Sequence, residues 1–129
     1  SVQHWRTSFI GYCHDEDLGV GLGAIGLGTE HIVPTIYPYF VEAITKHSTF
    51  DDKTSLFFDL HVECDDGHGD DLLWVTEQFV ECQFNRADVL LGTTMALDLR
   101  SQFWDEMLSR ALKMPSKGRQ LEMDAKHVA

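Results

Sequence analysis

A dense cluster of potential metal ligands lies near the middle of the chain, in the segment HVECDDGH at residues 61–68. Two histidines and three acidic side chains fall within these eight residues, and large apolar residues flank them on both sides. Imidazole and carboxylate groups together suit iron, manganese or zinc. The segment is therefore either a metal site or an ordinary solvated acidic turn, and the choice depends on the element that carries it.

Two secondary structures are compatible with this segment. Apolar and polar residues alternate over residues 58–64, which is strand periodicity and would make DDGHGDD a hairpin turn. In a helix, Gly67 and Gly69 would each cost about 1 kcal/mol relative to alanine. At helical spacing, however, one stripe collects five apolar residues and both histidines: Phe57, His61, Cys64, His68, Leu72, Val75 and Phe79. We therefore predict a helix from about residue 54 to residue 83, with the hairpin as the alternative.

Three potential ligands share one face of this predicted helix. His61, Asp65 and His68 stand at positions i, i+4 and i+7, which lie on adjacent turns. The face is otherwise apolar, and a buried charge without a partner is unfavourable. A divalent metal would stabilise these side chains, but hydrogen bonding within a core or in a wet acidic groove would do so too. The residue types alone leave both interpretations open.

The rest of the chain also has helical patterning. Apolar spacing predicts a helix from about 16 to 47, in which Pro34 and Pro38 must produce a kink or a break. A third helix is predicted from about 87 to 113, and the polar tail from about residue 115 is expected to be flexible. With 129 residues and no internal repeat, the sequence predicts a single all-α domain spanning residues 1–129.

Composition excludes several classes of function. The chain has 10 Lys and Arg against 21 Asp and Glu, a net charge of −11, which argues against binding nucleic acid or an anionic membrane surface. No apolar run approaches the roughly 20 residues that a membrane span needs. Three cysteines without CxxC spacing favour a reducing compartment, so we expect a cytoplasmic protein.

Two further motifs have weaker interpretations. GLGAIG, residues 21–26, matches GxGxxG but lacks the preceding strand that a dinucleotide site needs. Its small residues are better interpreted as a place where a helix approaches its neighbour closely. DDGHGDD is not an EF-hand loop, because its glycine register places Cys64 and His68 at ligand positions.

The sequence resembles a known family at the ligand segment and on both sides of it. The string FFDLHVECDDGH, with HxxxDxxH at residues 61–68, is similar to the metal-binding helix of the haem-oxygenase-like diiron oxidases, which are iron-containing redox enzymes. That family places a glutamate on the preceding helix, among small residues and before a proline-kinked aromatic run. Here GLGAIGLGTEHIVPTIYPYF supplies Glu30 at the family's interval from His61. Downstream, LDLRSQFWDEM resembles the closing helix, so the resemblance covers most of residues 18–110.

The resemblance implies a fold, an activity and a ligand set. The fold would be part of the seven-helix haem-oxygenase-like and thiaminase II-like bundle. The activity would be that of a non-haem diiron oxidase, which activates O2 to oxidise a small organic substrate. Glu30 and His61 would bind one iron, and Asp65 and His68 would bind the other.

This chain departs from the family pattern at its N-terminal side. The family's first metal-binding helix carries a further glutamate and histidine, and it lies well before the position of Glu30, where only 29 residues are present here. None of His4, His14 and Glu16 has the spacing to replace that helix. We therefore expect the C-terminal portion of the fold, with the missing ligands supplied by another chain or by a rearrangement.

Two other functions are compatible with this resemblance. One is a truncated, non-catalytic helical dimerisation or binding module, and the other is a metal-free enzyme similar to thiaminase II. An apolar substrate pocket in the oxidase would include Tyr37, Phe57 and Leu72. Three amphipathic helices would leave apolar surface uncovered, so we also expect a homodimer. The candidate residues for that surface are Trp74, Phe79, Phe84, Phe103 and Trp104.

Overall fold

The described part of the chain is almost entirely helical. The computed structural model describes residues 2–47, 52–83 and 85–113, and for residues 52, 54, 63–66 and 83 it describes the backbone alone. Within these ranges no strand occurs, which confirms the all-α fold class. The predicted flexible tail from about residue 115 lies outside the described residues.

Five α-helices and two short turns of other helical types make up the described fold. The helices are α1 (Val2–Cys13), α2 (Leu18–Leu22), α3 (Val33–His47), α4 (Asp52–Gln83) and α5 (Arg86–Lys113). A π-helical turn at Gly23–Leu27 and a 3₁₀ turn at Glu30–Ile32 connect α2 to α3. The predicted helices at 54–83 and 87–113 are confirmed within two residues. The predicted kinked helix at 16–47 is instead α2, the two turns and α3, and α1 was not predicted.

The helix α4 settles the choice between helix and hairpin. Helical structure is continuous from Asp52 to Gln83 and passes through both Gly67 and Gly69. The hairpin interpretation of DDGHGDD is therefore wrong. Its alternation of apolar and polar residues is too short to compete with a helix that packs against several neighbours over its length.

Pro34 explains where α3 begins. It is the second residue of the helix, in the first turn, where a backbone N–H has no intrahelical acceptor and its absence costs little. Pro38 lies inside the same helix. The predicted interruption near these prolines is found just before Pro34, where the 3₁₀ turn at Glu30–Ile32 meets α3.

Glycines allow the segment before Glu30 to touch α5. A β-carbon at Gly23 would overlap the carbonyl oxygen of Val89, and one at Gly92 would overlap that of Val20. The hydroxyl of Thr93 donates a hydrogen bond across this contact to the Gly23 carbonyl, at 3.2 Å. The prediction that the small residues permit a close helix approach is confirmed here, and α5 is the neighbour.

The buried core is small and lies around this contact. Its apolar members come from α2, the π turn, α3 and α5: Val20, Ala24, Val33, Val89, Ala96 and Leu99. None of the helices in the described ranges combines the length and the apolar character needed to cross a membrane.

The inward face of α4 differs from the predicted apolar stripe. Its buried residues are Gly69 and Thr76, whereas Phe57 and Val75 of the stripe are 53% and 40% exposed. The Thr76 hydroxyl is satisfied within the helix, because it donates to the Leu72 carbonyl at 2.7 Å. Small side chains let α4 approach its neighbours here, so the buried face is offset by one residue from the stripe.

Candidate metal centre

Glu30 is held in place from the side of α5. It begins the 3₁₀ turn and is half-buried, directly after Thr29. The Thr29 hydroxyl donates to the Ala24 carbonyl at 2.8 Å and accepts a hydrogen bond from Nη2 of Arg100 at 3.1 Å. The two hydrogen bonds connect the turn that carries Glu30 to the π turn and to α5.

The helix α4 passes directly under the same turn. Gly69 is buried, and a β-carbon there would lie 3.5 Å from Cα of His31 and 3.7 Å from the Glu30 carbonyl oxygen. These are ordinary van der Waals distances, so the Glu30–His31 turn lies directly beside α4 at this point. Because His68 is adjacent to Gly69 in the chain, this contact brings the histidine-bearing part of α4 next to Glu30.

The result is a cleft lined by side chains of both elements. It has a volume of about 320 Å³. Its polar lining residues are Glu30, His61, His68 and Asp71, and its apolar lining residues are Ile25 and Leu72. Glu30, His61 and His68 therefore share one cleft although they come from separate parts of the chain.

The ring of His61 is oriented by its own helix and by α3. Its Nδ1 lies 2.6 Å from the Phe57 carbonyl oxygen, which can only accept a hydrogen bond. Nδ1 is therefore the protonated nitrogen, and the neutral ring keeps its lone pair on Nε2. The ring centroid lies 4.1 Å from that of Phe57 and 5.7 Å from that of Tyr37. A backbone acceptor on one ring nitrogen is the usual arrangement for a histidine whose other nitrogen binds a metal.

Two acidic residues in this part of α4, Asp65 and Asp71, are further candidate ligands. Asp65 lies between His61 and His68 in the helix, and its side chain is outside the described residues. Asp71 was not predicted, although it stands three residues after His68 and therefore on the same side of the helix. Its i+3 spacing from His68 is the signal that the sequence offers for Asp71, which lies outside the HxxxDxxH pattern.

The donor types in the cleft fit iron, because carboxylate and imidazole ligands together suit this metal. Among the side chains that the structure describes, no three His, Cys, Asp or Glu residues are gathered closely enough to hold a metal ion. Glu30, His61 and His68 thus line the same space but do not by themselves form a closed ligand set. His31, beside Glu30, is exposed.

A helical bundle with histidines and carboxylates around one cleft is the architecture of a helical metalloprotein. The family of iron-containing redox enzymes matches residues 3–101, and this chain belongs to that family. The match includes the glycine-rich segment, Glu30, the whole of α4 and most of α5. A search of the curated proteins and a search of the solved structures found no match. The family resemblance noted in the sequence is confirmed.

Proposed function

We propose that this protein is a non-haem diiron oxidase that activates O2 and oxidises a small organic substrate. Glu30 and His61 would hold one iron, and Asp65 and His68 would hold the other. When bound, iron supplies the one-electron chemistry that O2 activation requires. The observation that carries the proposal is the cleft shared by Glu30, His61 and His68 in a chain of the iron-containing redox enzyme family.

The protein's own residues prepare His61 for this role. The hydrogen bond from Nδ1 to the Phe57 carbonyl selects the tautomer in which Nε2 is free of a proton. Packing against Phe57 and Tyr37 restricts rotation of the ring. Restricting a ligand before the metal arrives reduces the entropy lost on binding, so these contacts favour metal affinity.

The remaining lining residues set the polarity and the charge beside the proposed ligands. Ile25 and Leu72 present apolar surface beside the carboxylate and imidazole groups. Apolar lining limits the water near the ligands and strengthens electrostatic attraction between them and a cation. Asp71 would add negative charge that favours a divalent metal, or accept a hydrogen bond from a ligand.

Two copies of the chain would associate through α5. Its exposed apolar side chains include Leu90, Leu97 and Leu108. Exposed apolar surface of this kind is typical of a protein–protein contact, and we propose that the protein is a homodimer.

The direct test is the metal content of protein purified without a chelator or a His-tag, followed by O2 consumption after Fe(II) loading. The parent protein is expected to contain iron and to consume O2. His61→Ala and His68→Ala should each lower the iron content severalfold, because each removes one nitrogen ligand. Glu30→Gln and Asp65→Asn should do the same while preserving the size of the side chain.

Matched controls separate ligand loss from general damage to the fold. His47→Ala removes an exposed histidine at the end of α3, and Asp70→Asn removes an exposed carboxylate of α4. Both should retain the parent's iron content. If His61→Ala and His68→Ala also retain it in full, the assignment of these ligands is wrong.

A further inference from the structure

A second cavity lies beside the cleft and is lined almost entirely by aromatic side chains. It has a volume of about 270 Å³. The aromatic lining comes from four helices and comprises Trp5, Tyr37, Phe40, Phe58, Phe103 and Trp104. Helices that are distant in sequence meet here, so the cavity is a product of the tertiary fold.

The rings support one another and form a defined wall. Phe40 of α3 lies 5.1 Å from Trp104 of α5, measured between ring centroids, and 5.8 Å from Phe58 of α4. Trp5 of α1 lies 5.8 Å from Phe103 of α5. Tilted and edge-on aromatic pairs at these distances are favourable, and they leave ring faces available for a flat apolar molecule.

Arg100 places a positive charge in this aromatic wall. It is the one charged residue among the described side chains that line the cavity. Its Nε is buried without a hydrogen-bond partner among the described residues, whereas its Nη2 donates to Thr29. Burial lowers the pKa of Arg100, and the nearby Tyr37 and Glu30 raise it. Since an arginine keeps its proton in proteins, the group is a partly desolvated cation.

The cavity and the candidate metal centre are adjacent. Tyr37 lines the cavity, and its ring packs against His61, which lines the cleft. Glu30 lines the cleft and acts electrostatically on Arg100, which lines the cavity. A molecule seated against the aromatic wall would therefore lie next to the proposed ligands.

We infer that the aromatic cavity is the substrate site, and that it binds a compact aromatic molecule carrying a carboxylate, which Arg100 recognises. Its role as the site of the oxidised substrate rests on the proposed function. A guanidinium binds a carboxylate through two parallel hydrogen bonds, and a partly desolvated setting strengthens them. A cationic ligand would be repelled by Arg100. The volume is slightly below the range of about 300–1,000 Å³ of typical ligand pockets, so the molecule is compact.

Binding to iron-free protein tests this inference independently of the metal. The probes are 3-phenylpropionate and its uncharged counterpart 3-phenylpropionamide, which share the aromatic ring and differ in charge. Trp5 and Trp104 line the cavity, so their fluorescence reports binding. Trp74→Phe removes the signal of a tryptophan on α4 that is 62% exposed. The acid is expected to bind about tenfold more tightly than the amide, because the amide lacks the charge that Arg100 attracts.

Three arginine variants identify the source of that preference. Arg100→Gln should reduce the acid's affinity to that of the amide, while the affinity for the amide stays within about twofold. Arg110→Gln removes an exposed arginine of the same helix and should leave the tenfold preference intact. Arg100→Lys keeps the charge without the planar fork and should retain part of the preference.

If Arg100→Gln does not fold, the affinities of the parent protein for the acid and for the amide still test the inference. Equal affinity for the acid and the amide, or binding of neither, overturns the inference. A preference for the acid that survives in folded Arg100→Gln overturns it as well. His61→Ala should keep the preference, so a loss of iron in that variant and a loss of carboxylate binding in Arg100→Gln remain separate results.

Discussion

At the scale of single residues, the contacts around His61 connect the fold to the proposed chemistry. Phe57 contacts this histidine twice, through its carbonyl oxygen and through its ring. The side chain of Phe57 is nevertheless 53% exposed, so it contributes little to the core. A large apolar residue that is half exposed and packs against a candidate ligand is better explained by its contact with that ligand than by a contribution to the stability of the fold.

This arrangement predicts that Phe57→Ala weakens metal binding more than folding. The backbone hydrogen bond would remain, but the ring of His61 would lose the surface that restricts it. Fe(II) affinity is expected to fall by up to about tenfold, the lower end of what supporting residues of metal ligands contribute. An anaerobic Fe(II) titration measures the affinity, and urea denaturation measures the free energy of unfolding.

Leu56→Ala is the matched control, since Leu56 is the neighbouring residue of the same helix and is 48% exposed. It should leave the Fe(II) affinity unchanged. If both variants weaken Fe(II) binding equally, the contact of the Phe57 ring with His61 is not the cause. An unchanged affinity in Phe57→Ala would show that the backbone hydrogen bond alone orients the ring.

At the scale of elements, glycines have opposite roles in α4 and in the segment before Glu30. Nothing lies within 4 Å of a β-carbon placed on Gly67, which is exposed in the middle of α4. A β-carbon placed on Gly23 would overlap the backbone of α5 at Val89. The first glycine weakens its helix without a packing benefit, whereas the second permits the contact on which the core is built.

Two alanine substitutions should therefore change stability in opposite directions. Gly67→Ala is expected to raise the free energy of unfolding by about 0.5–1 kcal/mol, because alanine is favoured over glycine inside a helix. Gly23→Ala is expected to lower it by about 3 kcal/mol or more, since α2 and α5 must separate to admit the methyl group. Urea denaturation followed by far-ultraviolet circular dichroism measures both changes.

Gly69→Ala provides an intermediate case, because its β-carbon would meet the Glu30–His31 turn at ordinary contact distances. It should change stability less than Gly23→Ala. A stable Gly23→Ala variant would show that the close approach to α5 is not required.

At the scale of the whole molecule, large apolar side chains form a continuous stripe along the outside of α5. Helical spacing aligns its exposed members: Leu90, Leu97, Trp104, Leu108 and Leu112. Of the residues expected at an uncovered surface, Trp74 and Trp104 are 62% and 39% exposed, and Phe79 and Phe103 are half-buried. Phe84 lies outside the described residues. An exposed apolar stripe of this length is typical of a protein–protein contact.

The stripe predicts a homodimer in which α5 of one copy packs on α5 of the other. Sedimentation equilibrium at micromolar concentration should give about twice the chain mass of 14.7 kDa. Leu90→Glu combined with Leu108→Glu should shift the equilibrium toward monomer, because it introduces like charges on both sides of a two-fold contact.

Leu18→Glu is the control for this pair, since Leu18 is 63% exposed and lies on α2 and not on α5. It should leave the dimer intact. A parent protein that sediments as a 14.7 kDa monomer and binds no hydrophobic dye would contradict the dimer.

The sequence by itself determined the features that depend on local periodicity and local motifs. The extents of α4 and α5 followed from apolar spacing, because that spacing repeats over many turns. The small residues before Glu30 indicated a close helix approach. Glycine lowers helix propensity, so several glycines in one segment are better explained by close packing. The HxxxDxxH string and Glu30 indicated the family, and three of those four side chains line one cleft.

Only the tertiary structure decided the features that depend on contacts between distant residues. The helix α1 is short, and it packs on α5 through Trp5 and Phe103, a contact that no local pattern shows. The buried face of α4 is set by Gly69 and Thr76, whose small size permits close packing that a hydrophobic stripe cannot indicate. The position of Arg100 in an aromatic cavity requires four helices to meet, so it could not be inferred from any one of them.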